Sequence, residues 1–214
     1  MITVQSKYMG LLFFVLFSFS SCSQEYSFEG KLTYITDDPV QQQITSDSAE
    51  YINYYVKQEK VRVETKTQMG KQIYIKDFKK NTAVLLLDFN GKKMALLQDL
   101  KKDTLQKNYS VKKNCKSTKV GEFKAKCLSI SGEHLKEPVQ VYYSKSYPGY
   151  MIDVYDKQIP GLPLQYDLIV QGDQVNYELV RLDEREIAAE MFSIPEEYEQ
   201  LTMEEFLERL SPNN

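Results

Sequence analysis

Val84-Leu85-Leu86-Leu87-Asp88-Phe89, then Asn90-Gly91, then Met94-Ala95-Leu96-Leu97: two apolar runs flank a turn dipeptide. Asn-Gly between two apolar runs is the strongest short-range hairpin signal, because both residues tolerate the positive φ of a tight turn. Both runs are apolar at consecutive positions, so the hairpin is greasy on both faces. In an antiparallel sheet such a hairpin must be covered twice, by a helix packed on its second face, or must line a cavity.

On either side of this hairpin, period-two alternation recurs from Phe28 almost to the end. Phe28, Gly30, Leu32 and Tyr34 point one way and Glu29, Lys31 and Thr33 the other. Tyr51 to Lys57 and Val61 to Thr65 are joined by Gln58-Glu59-Lys60, a predicted hairpin, and Met69-Gly70 turns into Ile73-Tyr74-Ile75. Downstream, Tyr109-Ser110-Val111, Ala125 to Ile130 and Val139 to Tyr143 read as strands. Leu164 to Val170 and Val175 to Leu179 form another hairpin about Gln171-Gly172-Asp173-Gln174. Short connections imply antiparallel order, since parallel neighbours need long crossovers. Glu184 to Met191 has the pattern of a turn or two of helix. Thr202 with Glu205 forms a capping box, and Met203, Phe206, Leu207 and Leu210 share one helical face. So short a helix must dock on the sheet to be stable. The expectation is a mainly β (α+β) single domain over residues 26–211, closed by a C-terminal helix.

Ahead of that domain, Lys7, the apolar run Leu11 to Phe17 and Ser20-Ser21-Cys22 read as an export signal over residues 1–22. Its core is too short to span a bilayer. Two ends are compatible. Cys22 can be acylated, with Phe19-Ser20-Ser21 as the lipobox, although leucine is usual at Phe19. Alternatively an ordinary cut can use the small residues Ser21 and Ser23. The two fates differ in membrane attachment by about 0.8 kcal/mol per buried methylene. Either way the chain is expected in the cell envelope, in the periplasm or at the outer membrane, lipid-anchored or else secreted.

The chain has 3 cysteines. With Cys22 consumed, Cys115 and Cys127 remain, and an even pair in an oxidising compartment is expected to be bridged. They flank the turn-like Lys119-Val120-Gly121-Glu122. His134 is the only histidine, and nothing marks it as a partner for a catalytic thiol.

The formal net charge of -3 comes from interleaved acidic and basic groups. Lys112-Lys113 through Lys119, with Lys124 and Lys126, lack interleaved aromatics. They read as a solvated strand edge that discourages unwanted pairing, not as a nucleic-acid groove. The 16 Tyr and absent Trp suit half-buried sheet positions, or an aromatic-lined sugar or lipid site. Gly91-Lys92-Lys93 is a hairpin turn and no phosphate cradle, and no histidine pair or CxxC offers a metal site. Asp153 with Asp156 and Glu184 with Glu186 read as surface carboxylates, and Arg62 with Glu64 as a strand-face ion pair. No catalytic residue, metal or cofactor is expected, and no enzyme. The candidate ligand-binding residues are Leu32, Tyr34, Val84, Leu86 and Leu96, for a hydrophobic ligand or an envelope protein.

Five patches carry a resemblance: Phe28 to Tyr34, Lys60 to Glu64, Gly121 to Lys124, Ile159 to Leu164 and Phe192 to Tyr198. In order and position they resemble exported bacterial families of unknown function, of the GLPGLI type, whose sheets are similar to outer-membrane lipoprotein carriers. No second glycine follows Gly161-Leu162-Pro163, so the Gly-Leu-Pro-Gly signature is incomplete here. The resemblance implies a curved antiparallel sheet, or half-barrel meander, with a few helices packed on its concave side. It implies no catalytic residues.

Overall fold

The computed structural model describes residues 28–37, 52–67, 70–89, 91–101, 108–133, 135–152, 154–155, 158–170 and 172–210. Cys22 and the export signal, His134, Asp153 and Asp156 lie outside them. The strands are β1 (Glu29–Thr36), β2 (Ile52–Lys57), β3 (Lys60–Thr67), β4 (Gly70–Asp77), β5 (Thr82–Phe89), β6 (Lys92–Asp99) and β7 (Tyr109–Lys112). They continue with β8 (Thr118–Val120), β9 (Phe123–Gly132), β10 (Val139–Ser144), β11 (Leu162–Val170), β12 (Asp173–Glu184) and β13 (Glu199–Thr202), before helix α1 (Met203–Leu210).

Among the described residues thirteen strands join one open sheet in the order β13-β6-β5-β4-β3-β2-β1-β12-β11-β10-β9-β7, with β8 also on β9. The fold is mainly β, as the alternation predicts. The turns supply the reason: Gln58, Gly91, Gly121 and Gly172 all have positive φ, the backbone that tight hairpins demand. Only glycine adopts that conformation without cost, which fits three of these four positions.

One pairing departs from antiparallel order. β13 lies parallel to β6, with Leu201 opposite Leu96. The chain reaches it by a long crossover over residues 185–198, as a parallel pair requires. This crossover also replaces the helix expected at Glu184 to Met191. β12 runs on to Glu184, and only Ala189–Phe192 makes a 3₁₀ turn. The crossover is tied down by polar contacts distant in sequence. The Glu29 carboxylate accepts from the Ile187 amide at 2.7 Å and from Lys57 Nζ at 2.7 Å. Lys57 also donates to the Ile187 carbonyl, and Arg62 donates to the Met191 carbonyl, both at 2.8 Å. The hydrogen bond from the Ile187 N–H, and then that from Lys57, hold the Glu29 carboxyl below the usual carboxylate range.

Register divides the apolar residues into two faces. The inner face carries Leu32 and Tyr34 of β1, Val56 of β2 and Val61 of β3. These join Leu128 and Ile130 of β9, Val141 and Tyr143 of β10, Leu164 and Tyr166 of β11 and Leu179 of β12 in one core cluster. Segment 147–160 completes it with Met151, Ile152, Tyr155 and Ile159. A second, smaller cluster on the outer face joins Ile73, Ile75, Leu86 and Ala95, and Phe192, Ile194 and Tyr198 of the crossover cover it. Among the described residues the single α-helix is α1, which touches β13 and β6 at one end of the sheet. Its capping box forms: Thr202 N donates to Glu205 Oε2 at 2.7 Å, and Glu205 N to Thr202 Oγ1 at 3.2 Å.

Gly30 shows how tightly the centre of the sheet is packed. A Cβ there would lie 2.2 Å from the Asp183 carbonyl oxygen on β12 and 2.8 Å from the Phe28 ring. Gly30→Ala is expected to force β1 from β12 and to cost about 2–3 kcal/mol, the upper part of the range for overpacking. Urea denaturation measures it, and an unchanged midpoint would contradict this register.

Candidate functional site

The inner face of β1 to β6 carries one continuous apolar row. Leu96 stands opposite Leu85, Leu85 opposite Tyr74, Tyr74 opposite Val63, Val63 opposite Tyr54 and Tyr54 opposite Leu32. Leu201 extends it at the β13 end. Successive strands contribute one side chain each because register, not sequence distance, sets what shares a face. Leu32 and Leu96 at its ends are buried, whereas Leu85, Tyr74, Val63 and Tyr54 between them are half-buried. Leu87 and Met94, paired on the same face, are half-buried as well. Polar groups rim this floor. The Tyr74 hydroxyl donates to Gln98 Oε1 at 2.8 Å, and Lys76 Nζ stands 5.5 Å from the Tyr74 ring centroid.

At the β1 end the floor meets a cluster of tyrosines. Tyr34 packs edge-on against Tyr54 at 5.4 Å and Tyr166 at 5.9 Å, and Tyr166 stacks on Tyr177 at 5.2 Å. The Tyr34 hydroxyl donates to the Pro163 carbonyl, and the Tyr54 and Tyr166 hydroxyls bond each other. Burial pushes the Tyr54 phenol up to about 12 and those of Tyr34 and Tyr166 well above their ordinary value. This end is packed core.

The five candidate residues therefore do not form one site. Leu32 and Tyr34 belong to the main core, and Val84 and Leu86 to the outer-face cluster beneath the crossover. Leu96, itself buried, ends the half-buried row on β6, as Leu32 ends it on β1. The reason is alternation: Leu85 and Leu87 of β5 point inward where Val84 and Leu86 point outward. Of the hairpin's two greasy faces, the outer one is covered by an irregular segment rather than a helix.

On that outer face Arg62 and Glu64 are paired at 2.7 Å, and Lys71 adds a contact to Glu64 at 2.9 Å. Burial raises the Glu64 carboxyl, but its bonds to Lys71 and Arg62 outweigh this and hold it below the usual range. Cys115 and Cys127 are bridged, with Cα atoms 5.5 Å apart, which ties the segment between β7 and β8 to β9. Glu184 and Glu186 are exposed, and among the described residues no three His, Cys, Asp or Glu side chains converge as metal ligands would.

Two surface hollows lie beyond the sequence reading. Gln140, Tyr142, Gln165, Asp167, Gln174 and Asn176 line one of about 300 Å³ over β10 to β12. Asn176 Nδ2 and Gln174 Nε2 both donate to the Asp167 carboxylate there, at 2.7 and 3.0 Å. The signal was present as the polar half of the alternation, which on these three strands is built of amides and a tyrosine. The other, of about 560 Å³, lies between the β8–β9 hairpin and the end of β10 and is rich in lysine.

No family model matches this chain, and no curated protein does. Solved structures similar to it include two of PNGF-II. PNGF-II in one crystal form (space group P21) superposes with a TM-score of 0.54 at 10% identity, over 86% of this chain and 33% of that one. PNGF-II in a second form (space group C2) gives 0.50 at 10% identity, over 82% and 31%. The chain thus spans about a third of the length of that protein. The likeness is one of fold alone.

Proposed function

We propose that this chain is a non-enzymatic protein of the cell envelope, exported through its N-terminal segment and anchored by an acylated Cys22. In this reading its sheet is a half-barrel whose inner face shelters an apolar ligand such as an acyl chain. The GLPGLI-like resemblance of its patches belongs to the same proposal. The observation that carries it is the row Leu96-Leu85-Tyr74-Val63-Tyr54, apolar throughout yet half-buried along its middle. Five strands at about 4.8 Å spacing give the row a length of roughly 19 Å, suited to a long extended acyl chain. Covering such a floor is favourable by about 25 cal/mol for each Å² of apolar surface removed from water.

Solvent extraction of protein purified from the envelope, followed by mass spectrometry, tests this. The expected result is about one acyl-bearing molecule per chain. A protein that carries none, and takes none up from lipid vesicles, would favour a different reading: an interaction module that holds an envelope protein. The amide-lined hollow on β10 to β12 supports that second reading, since planar amides and a tyrosine ring offer directional contacts to a polar partner. Photocrosslinking from position 142 in intact cells would then recover one protein reproducibly.

A further inference from the structure

The lysine-rich hollow is an arrangement of charge that the fold alone does not explain. Lys119 of β8 and Lys124 of β9 are direct cross-strand partners. Like charges in that position repel and cost stability. Lys126 follows two residues along β9 on the same side of the strand, and Lys145 enters from the turn that leaves β10. Ser117 and Thr118 add hydroxyl groups to the same wall. Among the described residues none of these four lysines has an acidic partner within ion-pair distance. Lys124 pairs only with Lys119 on β8 and Lys126 only with Tyr143 on β10, so edge protection can serve each strand singly, but it does not call for four lysines around one hollow. The net charge of the whole chain is -3, so this concentration of positive charge is local.

The frame around the lysines is rigid. The Cys115–Cys127 bridge fastens the approach to β8 beside Lys126. Val120 and Ala125, next to Lys119, Lys124 and Lys126 in the chain, are buried in the main core. The turn carrying Lys145 is held by Ser146 N donating to Ser144 Oγ at 3.2 Å. It is also wedged against Gly161, where any Cβ would lie 2.1 Å from the Ser144 carbonyl oxygen. Four lysines carried on a fixed backbone line one hollow together with Ser117 and Thr118, which concentrates positive charge where an oxyanion can meet it.

We propose that this hollow binds a ligand carrying two or more adjacent phosphate groups. One end of the ligand meets Lys119 and Lys124, the other Lys126 and Lys145, with Ser117 and Thr118 donating to phosphate oxygens. Lysine suits the task as a compact point charge that accepts phosphate from several directions. A single phosphate leaves part of the repulsion standing, whereas a pair neutralises both ends. The ligand source is a soluble polyphosphate-type molecule or a phosphorylated lipid headgroup, which share this chemistry.

Titration calorimetry of the full chain with sodium tripolyphosphate, and flotation with phosphatidylcholine vesicles with or without phosphatidylinositol 4,5-bisphosphate, tests the site. The expected result is saturable, salt-sensitive binding of one probe per chain, weakened at least tenfold in the double variant Lys124→Gln/Lys126→Gln. The control Lys79→Gln/Lys80→Gln, exposed on the turn after β4, should bind as the parent does. Binding of tripolyphosphate alone marks a soluble source and binding of anionic vesicles alone a headgroup source; both support the site when lost in the double variant. The melting temperature of that variant should stay level or rise, because repulsion is relieved. Failure of both probes to bind saturably, equal loss in the control, or a melting temperature lowered by several degrees would overturn the proposal.

Discussion

Leu86→Asp is expected to leave the protein unfolded, whereas Leu85→Asp, one residue earlier, should leave it folded. Leu86 is 1% exposed and sits on the outer face with Ile73, Ile75 and Ala95, under Phe192, Ile194 and Tyr198. Removing the leucine there forfeits about 2–5 kcal/mol. Placing a carboxylate without a partner in the same position adds several more. The sum reaches the whole stability of an ordinary domain, about 5–15 kcal/mol. Leu85 points to the half-buried inner floor, so its aspartate keeps access to water and only part of the transfer energy is lost. Far-ultraviolet circular dichroism with urea denaturation of the two variants separates the cases. Equal damage from both would mean that the inner floor is closed core.

Between pH 10 and 12 the protein should lose stability steeply. Tyrosine in the unfolded chain ionises near pH 10. In the fold, burial first of all keeps Tyr34 and Tyr166 protonated well above that, and pushes Tyr54 up to about 12. Below pH 10 both states hold these protons and the full stability is present. Above it the unfolded chain releases protons that the fold retains, so each such residue removes about 1.4 kcal/mol per pH unit. The fully buried pair alone therefore removes about 3 kcal/mol per unit. Urea midpoints from pH 8 to pH 11.5 should be level to about 9.5 and fall beyond it, less steeply in Tyr34→Phe. A level profile throughout would mean that these phenols reach solvent.

Local chemistry made much of this fold legible. The turns at Gln58, Gly91, Gly121 and Gly172 and the capping box at Thr202 are each written within a few residues. The crossover was not legible, because what holds it is distant. Ile187 is fixed by Glu29 and Met191 by Arg62, and its apolar residues follow no period of two or 3.6. For the same reason Glu184 to Met191 resembled a helix, and the parallel pairing of β13 was hidden. The site was half legible. The hairpin from Val84 to Leu97 announced two apolar faces, but only register tells that Leu85 stands with Leu96 while Leu86 stands with Ala95. The lysine hollow needed register too, since Lys119 meets Lys124 across a turn and Lys145 arrives from another hairpin.

Binding of a fluorescent fatty acid to the parent protein and to Leu85→Asp tests whether the inner floor takes up an acyl chain. An inner floor that holds an acyl chain predicts saturable uptake of about one molecule by the parent, and at least tenfold weaker uptake by the still-folded variant. Equal uptake by both, or none by a delipidated parent, would contradict it.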